Sequence, residues 1–377
     1  MKIALVSPYD FSYPGGVTVH ISNLERYFTQ WGHEVKILAP CSSPVKNLNV
    51  IPVGRPLPVP SGGSIARITL SLTLDRHVKA ILDKEKFDVV HVHEPLTPML
   101  PYVALRLSHA LNVGTFHAYH QKARLYGLTK LILKHWASRL HGRIAVSQPA
   151  LDYISQHFPG EYVIIPNGVD VQHFAPQPKN TTLNGNKTIL FVGRLEKRKG
   201  LDYLLGAYRE IKQRSPQARL VIVGPGTLLR QKYEKLVKER HLADVNFVGL
   251  VPNNELPHYY AAADVFCAPA TGEESFGMVL LEAMAMGKPV VASAINGYSP
   301  LINSGVDGLL VPPKNEAALA QAIMSLFEDP VLSQNIALRG RAKAEGYSWE
   351  NIARRVMDYY QVLLTRHARN ERSGVLF

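Results

Sequence analysis

The chain has 377 residues, of which 46% are hydrophobic and 19% are charged, and this composition is that of a folded protein. The length exceeds what one hydrophobic core usually serves, so two folded domains are expected. Its two cysteines, Cys41 and Cys267, are too few for a disulfide framework or a four-ligand zinc site. No stretch approaches the ~20 apolar residues of a membrane-spanning helix. We therefore expect a reducing compartment and a cytoplasmic location.

The net charge of +12 favours an anionic partner, and charge alone leaves open nucleic acid, an acidic membrane and phosphorylated ligands. Much of this charge lies in the stretch 95–151, which carries seven basic residues and no acidic one. The seven are Arg106, Lys122, Arg124, Lys130, Lys134, Arg139 and Arg143. We expect any anionic surface to be met there.

Short β-branched segments alternate with helical stretches through the whole chain. In the first half they are 3–7, 35–39, 89–93, 113–116, 144–147 and 163–166. In the second half they are 188–192, 220–223, 245–248, 265–268, 290–293 and 309–311. Because most of them lack polar alternation, they predict strands buried on both faces, as in a parallel sheet covered by helices.

The polar stretch 177–187 separates the two series of strands and predicts a linker. The predicted fold class is therefore α/β, with two Rossmann-like, doubly wound parallel-sheet domains facing a central cleft. The predicted domains are 1–171 and 172–355. One long sheet is the alternative, and the restarted pattern of strands argues against it.

The first candidate site is the turn Gly15-Gly16 between the first strand and the first helix. That helix is predicted by an apolar stripe that runs from Val17 to Trp31, and Gly32 follows where a C-terminal cap belongs. Glycines at a helix N-terminus let backbone amides approach an anionic ligand closely. The alternative is a tight turn with no ligand.

The second candidate site follows the strand 188–192. Gly193-Arg194 comes directly after it, and Lys197-Arg198-Lys199-Gly200 is close behind. An arginine fork and mobile lysines at the carboxyl end of a strand suit a diphosphate. The alternative is a solvated basic loop.

The third candidate site is Glu273-Glu274-Ser275-Phe276-Gly277, which leads into an apolar helix that carries Glu282. A glutamate in a buried helix is costly unless it is paired or bound to a ligand. Two carboxylates beside a helix N-terminus can hold sugar hydroxyls while its amides hold an anion. The alternative is that Glu274 only interacts with the helix dipole and that Glu282 lies at the surface.

The fourth candidate is His117, which follows a predicted buried strand and could reach the cleft; the alternative is a hydrogen-bonded structural histidine. We expect His91 and His93 to face opposite sides of their strand and therefore not to share a metal ion. We also interpret 61–67 as a flexible polar loop, followed by a helix with Arg76, His77 and Lys79 that could meet an anionic head group or simply be solvated.

Several motifs are missing from the sequence. No Asp-x-Asp occurs, so Arg194, Lys199 and helix ends would have to neutralise a bound diphosphate, which predicts independence from a metal. The dinucleotide fingerprint GxGxxG is missing at the glycine turn. No Walker A motif or GxSxG motif occurs, which disfavours NTPase and α/β-hydrolase activities.

In this order along the chain, the motifs resemble family 4 retaining glycosyltransferases of the GT-B fold. They are Gly15-Gly16, Asn167-Gly168-Val169-Asp170, Gly193-Arg194, Lys199-Gly200 and Glu274-x7-Glu282. Within that family the chain most resembles phosphatidylinositol mannosyltransferases, which transfer mannose from GDP-mannose to a membrane lipid. Further motifs carry this likeness, namely Ser7-Pro8-Tyr9, Gly63-Ser64-x-Ala66-Arg67, His91-x-His93-Glu94-Pro95 and Thr115-Phe116-His117.

The resemblance implies a role for each matching residue. Arg194 and Lys199 would neutralise the donor diphosphate, Glu274 would hold donor-sugar hydroxyls, and Glu282 would hold the nucleotide ribose. Gly16 would lie against the diphosphate, and the amides of Phe276 and Gly277 would lie near the donor sugar. His117 would contact the transferred sugar. Tyr9, Ser64 and Arg67 match the positions that bind the acceptor. It also implies that a C-terminal helix, about 356–377, completes the first domain. The chain departs from the mannosyltransferase pattern at Thr18 and at Ser61-Gly62.

The predicted reaction is a metal-independent hexosyl transfer with retention. The partners implied are a nucleotide-sugar donor and an anionic membrane lipid acceptor, met through the basic N-terminal domain at the inner face of the plasma membrane. A UDP-sugar-dependent glycosyltransferase of the same family is the alternative, and an epimerase, a hydrolase or a basic nucleic-acid-binding protein is more remote. No nucleic-acid partner is expected, because no aromatic-rich RNA motif or helix-turn-helix signature is present.

Overall fold

The structure is a computed structural model that describes residues 1–13, 15–61, 64–71, 73–117, 133–178, 187–227 and 229–373. The chain divides into two compact units, Met1–Asn167 with Trp349–Phe377 (unit 1) and Gly168–Ser348 (unit 2). The sequence places these boundaries at 171/172 and 355/356. The structure places them earlier, because the chain pairs Val169 with Ser348 inside unit 2 and the last helix begins at Trp349.

Unit 1 contains a seven-stranded parallel sheet and a separate two-stranded antiparallel hairpin. Its strands are β1 (Lys2–Val6), β2 (Glu34–Ala39), β3 (Val50–Pro52), β4 (Pro56–Ser61), β5 (Ser64–Thr69), β6 (Val89–His93), β7 (Leu111–Phe116), β8 (Gly142–Ala145) and β9 (Val163–Ile164). The sheet order is β3-β2-β1-β6-β7-β8-β9. All residues of β6 and β7 are buried, the polar ones included, as in strands covered on both faces.

Unit 2 contains a six-stranded parallel sheet of order β12-β11-β10-β13-β14-β15. Its strands are β10 (Lys187–Val192), β11 (Ala218–Val223), β12 (Val245–Gly249), β13 (Val265–Ala268), β14 (Val290–Ser293) and β15 (Leu309–Val311). The prediction of two parallel α/β sheets is confirmed, and β13, β14 and β15 begin and end where the sequence predicts. The predicted linker 177–187 lies mostly outside the described residues.

Helices cover both sheets. They are α1 (Gly16–Gln30), α2 (Leu74–Glu85), α3 (Leu100–Leu107), α4 (Gln148–His157), α5 (Leu201–Arg214), α6 (Leu229–Glu239), α7 (Leu256–Ala262), α8 (Met278–Ala285), α9 (Glu316–Glu328), α10 (Pro330–Gly346) and α11 (Trp349–Ser373). In α1 the predicted stripe is the buried face, with Ile21, Leu24 and Phe28 fully buried. Gly32 follows the helix with φ +83°, the left-handed conformation that glycine supplies at a helix end.

The segment 61–67 was expected to be a flexible loop, and that expectation is wrong. Strands β4 and β5 pair in antiparallel register from Pro56 opposite Thr69 to Ser61 opposite Ser64. Residues 62 and 63 of the expected loop lie outside the described residues. The hairpin places Arg67 on a strand, where its position is fixed by the ladder.

Each sheet has one point at which the strand order reverses. In unit 1 the chain runs outward from β1 to β3 and returns to place β6 on the other side of β1. In unit 2 it runs outward from β10 to β12 and returns to place β13 on the other side of β10. The loops that follow these central strands diverge, and this is the crevice in which doubly wound sheets bind ligands.

Candidate active site

Two loops of unit 2 meet at the carboxyl edge of its sheet. Gly193 and Arg194 follow β10, and Glu274 lies in the segment that follows β13, the neighbouring strand. The loops are joined by a hydrogen bond from the Thr271 amide to the Arg198 carbonyl, at 2.8 Å. The structure therefore brings together the second and third sequence-predicted sites.

Glu274 is the centre of a carboxylate–cation cluster, which consists of Glu196, Arg198, Lys199 and Glu274. The Glu274 side chain is only 10% exposed, and its Oε1 lies 2.7 Å from Lys199 Nζ and also accepts from Arg198 Nη1. Arg198 donates on its other side to Glu196 Oε2, at 2.8 Å. Burial alone would lower the pKa of Arg198, but the charges of Glu274 and Glu196 raise it, so the guanidinium stays charged.

Arg194 lies at the edge of this cluster. Its side chain is 46% exposed, and its Nη1 lies 3.2 Å from Glu196 Oε1. Its backbone follows Gly193, at the end of β10. An exposed guanidinium beside a buried, charged cluster has donors left for an incoming anion, as expected for a diphosphate ligand.

Sequence reasoning did not single out Arg198 and Glu196. Both lie in or beside the basic run, and only the local fold decides which member points inward. Residues Lys197–Lys199 form one 3₁₀ turn that ends at Gly200, with φ +72°. This turn leaves Lys197 exposed and directs Arg198 and Lys199 toward Glu274.

The segment Phe276-Gly277 leads into α8. Gly277 has φ +88°, and a Cβ there would lie 2.7 Å from the Tyr298 ring, so a glycine is required on both counts. Phe276 is buried. A further residue that the sequence did not reveal is Gly297, where a Cβ would lie 1.9 Å from the Glu274 carbonyl oxygen. The backbone of Glu274 is thus held by close packing against a glycine.

Glu282 lies in α8 and points into unit 2 rather than to the surface. Its Oε2 accepts a hydrogen bond from the Tyr260 hydroxyl at 2.7 Å. Burial raises the pKa of Glu282 to about 6, and the hydrogen bond from Tyr260 opposes this only in part. A partly desolvated carboxylate with one oxygen free of that bond is suited to accept from a diol.

The raised pKa of Glu282 predicts a pH-dependent effect on stability. The neutral carboxyl is favoured in the folded protein, so its contribution is complete below pH 4.5 and is lost as the pH rises through about 6. Relative to Glu282→Gln, the wild-type protein should lose about 2 kcal/mol of unfolding free energy between pH 4 and pH 7. Urea unfolding of both proteins at a series of pH values measures this. A difference independent of pH would contradict it.

In unit 1, Gly16 is the first residue of α1, the helix that follows β1 along the chain, and it is exposed. Gly15 is extended, and its amide donates to Thr18 Oγ1 at 3.0 Å, while the Thr18 hydroxyl donates back to the Gly15 carbonyl at 2.8 Å. Thr18, one of the positions that depart from the mannosyltransferase pattern, therefore caps the glycine turn with its hydroxyl group. Gly16, the first residue of the helix, is exposed, so an anion can approach its amide.

His117 directly follows β7 and is buried. Its backbone amide donates to Glu94 Oε1 at 2.7 Å. Its ring Nε2 lies 3.0 Å from Nδ1 of His93. The loops after β6 and β7 thus fix both the backbone and the ring of His117.

The expectation that His91 and His93 face opposite sides of β6 is wrong. Residues two apart on a strand share a face, and the two rings are stacked with centroids 4.4 Å apart. Burial lowers the pKa of His91 to about 3 and that of the neighbouring His20 to about 4, so both rings are neutral. Within the described part of the chain, no three His, Cys, Asp or Glu side chains are placed to hold a metal ion.

Two of the three acceptor-side residues lie together. Tyr9 forms a backbone bridge with Ile68 of β5, and the next amide, of Asp10, donates to the Arg67 carbonyl at 2.9 Å. The Arg67 guanidinium lies 3.9 Å from the centre of the Tyr13 ring. The side chain of the third residue, Ser64, lies outside the described residues.

The basic residues of unit 1 fall into two groups. On α2, Arg76, His77 and Lys79 are exposed, while the opposite face is buried through Leu74, Val78 and Ile81. In the stretch 95–151, Arg106 pairs with Asp75, and Arg139 and Arg143 donate to backbone carbonyls; Lys122, Arg124 and Lys130 lie outside the described residues. No helix in the described ranges combines the length and the apolar character needed to cross a bilayer.

Two family models match the chain, Glycosyltransferase Family 4 over residues 14–173 and Glycosyl transferases group 1 over residues 174–343. The fold is similar to that of sucrose-phosphate synthase from Thermosynechococcus elongatus, with a TM-score of 0.79 and 25% identity, covering 97% of this chain and 99% of that chain. It is also similar to Anabaena HepE in complex with UDP and glucose, with a TM-score of 0.77 and 21% identity, covering 96% and 100%. Fold and site together define a hexosyltransferase of the GT-B class.

The chain is 36% identical to the phosphatidyl-myo-inositol mannosyltransferase of Mycobacterium leprae, covering 97% of this chain and 98% of that relative. It is 33% identical to the enzyme of the same name from Propionibacterium freudenreichii, covering 96% and 95%. The chain therefore belongs to the family 4 glycosyltransferases, and the resemblance on which the sequence analysis relied is confirmed.

Proposed function

We propose that this protein transfers mannose from GDP-mannose, with retention, to the inositol head group of phosphatidylinositol. The observation that carries the proposal is the carboxylate–cation cluster at the β10–β13 switch point, in a chain 36% identical along nearly its whole length to a phosphatidyl-myo-inositol mannosyltransferase. The cluster supplies the charges that a nucleotide diphosphate-sugar requires, a carboxylate for hydroxyls and cations for phosphates.

The proposed chemistry follows from the charges in unit 2. Arg194 and Lys199 meet the donor diphosphate and stabilise the negative charge that develops on it as the glycosidic bond breaks. Glu274 holds hydroxyls of the donor sugar, and Glu282 holds the ribose. Both carboxylates are thereby engaged and neither acts as a nucleophile. The acceptor hydroxyl therefore attacks the face from which the diphosphate leaves, and the departing phosphate takes the acceptor proton.

Residues of unit 1 complete the proposed assignments. The amide of Gly16 contacts the diphosphate, His117 contacts the transferred sugar, and Tyr9, Ser64 and Arg67 bind the acceptor. Arg194 and Lys199 provide the positive charge that a divalent ion supplies in other sugar-nucleotide enzymes, and the Gly16 amide adds a hydrogen bond. We therefore propose that the reaction proceeds without a metal.

The proposed site of action is the inner face of the plasma membrane. The exposed cations of α2 alternate with a buried apolar face, so its charged side is turned to solvent, where it can meet anionic lipid head groups. Each basic residue near such a surface contributes about 1 kcal/mol of attraction, which salt screens. The fraction of the protein that sediments with anionic vesicles should therefore fall steeply as the salt concentration rises.

The test of the proposed function is a lipid-extraction assay. The protein is mixed with labelled GDP-mannose, EDTA and vesicles with or without phosphatidylinositol, and UDP-glucose is run in parallel. Label from GDP-mannose should enter the organic phase only when phosphatidylinositol is present. Label from UDP-glucose instead would assign a different donor, and release of free sugar without lipid label would indicate a hydrolase. Labelling that appears only when EDTA is replaced by a divalent metal ion would contradict the metal-independent mechanism.

A further inference from the structure

Four histidine rings form a buried cluster in unit 1, which consists of His20, His91, His93 and His117 (the histidine cluster). His20 lies with its ring centroid 4.9 Å from that of His117 and 5.3 Å from that of His93. His93 stacks on His91 at 4.4 Å and on His117 at 5.3 Å. Burial lowers the pKa of every member, so the cluster is neutral, and each ring carries one proton on one of two nitrogens.

Two members of the cluster have hydrogen-bond partners other than histidine, His91 at both ring nitrogens and His20 at Nδ1 only. His91 lies 2.6 Å from the Tyr360 hydroxyl at Nδ1 and 2.6 Å from Thr115 Oγ1 at Nε2. His20 Nδ1 lies 2.8 Å from Asn167 Oδ1, an acceptor, so the proton of His20 is on Nδ1. Its Nε2, which then carries no proton, is buried without a partner in the described residues.

His93 presents the same pattern. Its Nε2 is buried and has no hydrogen-bond partner among the described residues, while its Nδ1 lies 3.0 Å from Nε2 of His117. A buried N–H without an acceptor is rarer in proteins than a bare acceptor without a donor. The proton of His93 therefore belongs on Nδ1, from which it is donated to His117. Since Nε2 of His117 accepts, the proton of a neutral His117 is on its Nδ1.

We infer that His93 is a positioning residue that holds His117 in the tautomer with Nδ1 protonated, so that His117 meets the transferred sugar as a hydrogen-bond donor. The inference rests on the proposed function, which places His117 on that sugar. Glu94 supports the same arrangement, because its carboxylate fixes the His117 backbone amide while His93 fixes the ring. A neutral histidine that donates from Nδ1 and accepts from His93 at Nε2 has no free lone pair, so His117 is not the base for the acceptor hydroxyl.

The tautomer can be read directly, without substrate. Protein labelled with ¹⁵N-histidine gives two-bond correlations that distinguish protonated Nδ1 from protonated Nε2, and His117→Gln assigns the signal. Wild type should show His117 protonated at Nδ1. In His93→Leu the signal should move toward a mixture of tautomers. Protonated Nε2 in the wild type would overturn the inference.

Activity supplies the second readout. His93→Leu should lower kcat about tenfold or more, with the KM for the donor changed by less than about threefold, because one oriented hydrogen bond is lost at the reacting sugar. His93→Asn, whose amide nitrogen can occupy the position of Nδ1, should recover most of the loss. Tyr360→Phe is the matched control, since it perturbs the cluster at His91 and leaves the His93–His117 bond in place. Equal kcat values for the Leu and Asn variants would also overturn the inference.

The two readouts separate this inference from the proposed function. If the wild type shows the expected tautomer but transfers no sugar, the proposed function fails while the assignment of the His117 proton is supported. If the wild type transfers mannose with His117 protonated at Nε2, the proposed function stands and the inference fails.

Discussion

Replacing Lys199 with alanine is expected to lower kcat by about 10²–10³-fold, the loss that follows removal of one preorganised group that stabilises transition-state charge. Lys199 lies beside the carboxyl edge of the unit 2 sheet, with its ammonium group 2.7 Å from Glu274. In the proposed reaction the diphosphate gains negative charge as the sugar departs, so the attraction of Lys199 is greater in the transition state than in the ground state. The KM for the acceptor should change little. Steady-state kinetics with each substrate varied in turn measures the two effects.

Lys197→Ala is the matched control, because Lys197 belongs to the same 3₁₀ turn, carries the same charge and is exposed. If charge alone attracts the donor, the two variants should be similarly impaired and both effects should disappear at high salt. If position matters, only Lys199→Ala should show the large loss of kcat. Turnover of Lys199→Ala within a few-fold of the wild type would contradict its role at the diphosphate.

The sheets could be predicted because their strands are buried on both faces. A strand that never meets solvent has no reason to alternate polar and apolar residues, so Val265–Ala268 is visible as an unbroken apolar run. The hairpin β4–β5 gave no such signal. Its first strand carries prolines at 56, 58 and 60, which usually exclude a strand because proline has no amide proton. Alternate positions of a strand point their amides away from a given partner, so the residues between the prolines can still form the ladder.

The site residues that could be predicted from the sequence are those that follow the ends of strands. Arg194 and Glu274 follow buried strands that the topology makes neighbours, and strand ends are legible in the sequence. Arg198 was missed because a run of cations does not show which member turns inward. The pairing of His91 with His93 was misjudged, although the two-residue period of a strand already places them on one face.

The substitution Glu274→Gln is expected to lower kcat/KM for the donor by about 10²-fold, since a hydrogen bond to a charged acceptor contributes about 1.5–3 kcal/mol. Glutamine keeps the size of the side chain and one acceptor oxygen, but it removes the charge. The same change also leaves Lys199 and Arg198 without the carboxylate that both contact. We therefore expect the thermal unfolding midpoint to fall as well, because removing one partner of a largely buried ion pair destabilises a protein.

A second substitution separates the loss of binding from the loss of stability. The double variant Glu274→Gln/Lys199→Met lacks the lysine charge as well as the carboxylate. No unpaired ammonium group is then left beside position 274, so the thermal unfolding midpoint should recover much of the decrease caused by Glu274→Gln alone. Activity should not recover, because neither the sugar nor the diphosphate contact is restored. Glu273→Gln, one residue earlier, should leave both properties near the wild-type values, since Glu273 forms no ion pair within the ranges that the structure describes. If the double variant regained activity together with stability, neither Lys199 nor Glu274 would be needed to bind the donor, and Glu274 would be only a structural partner of the cations.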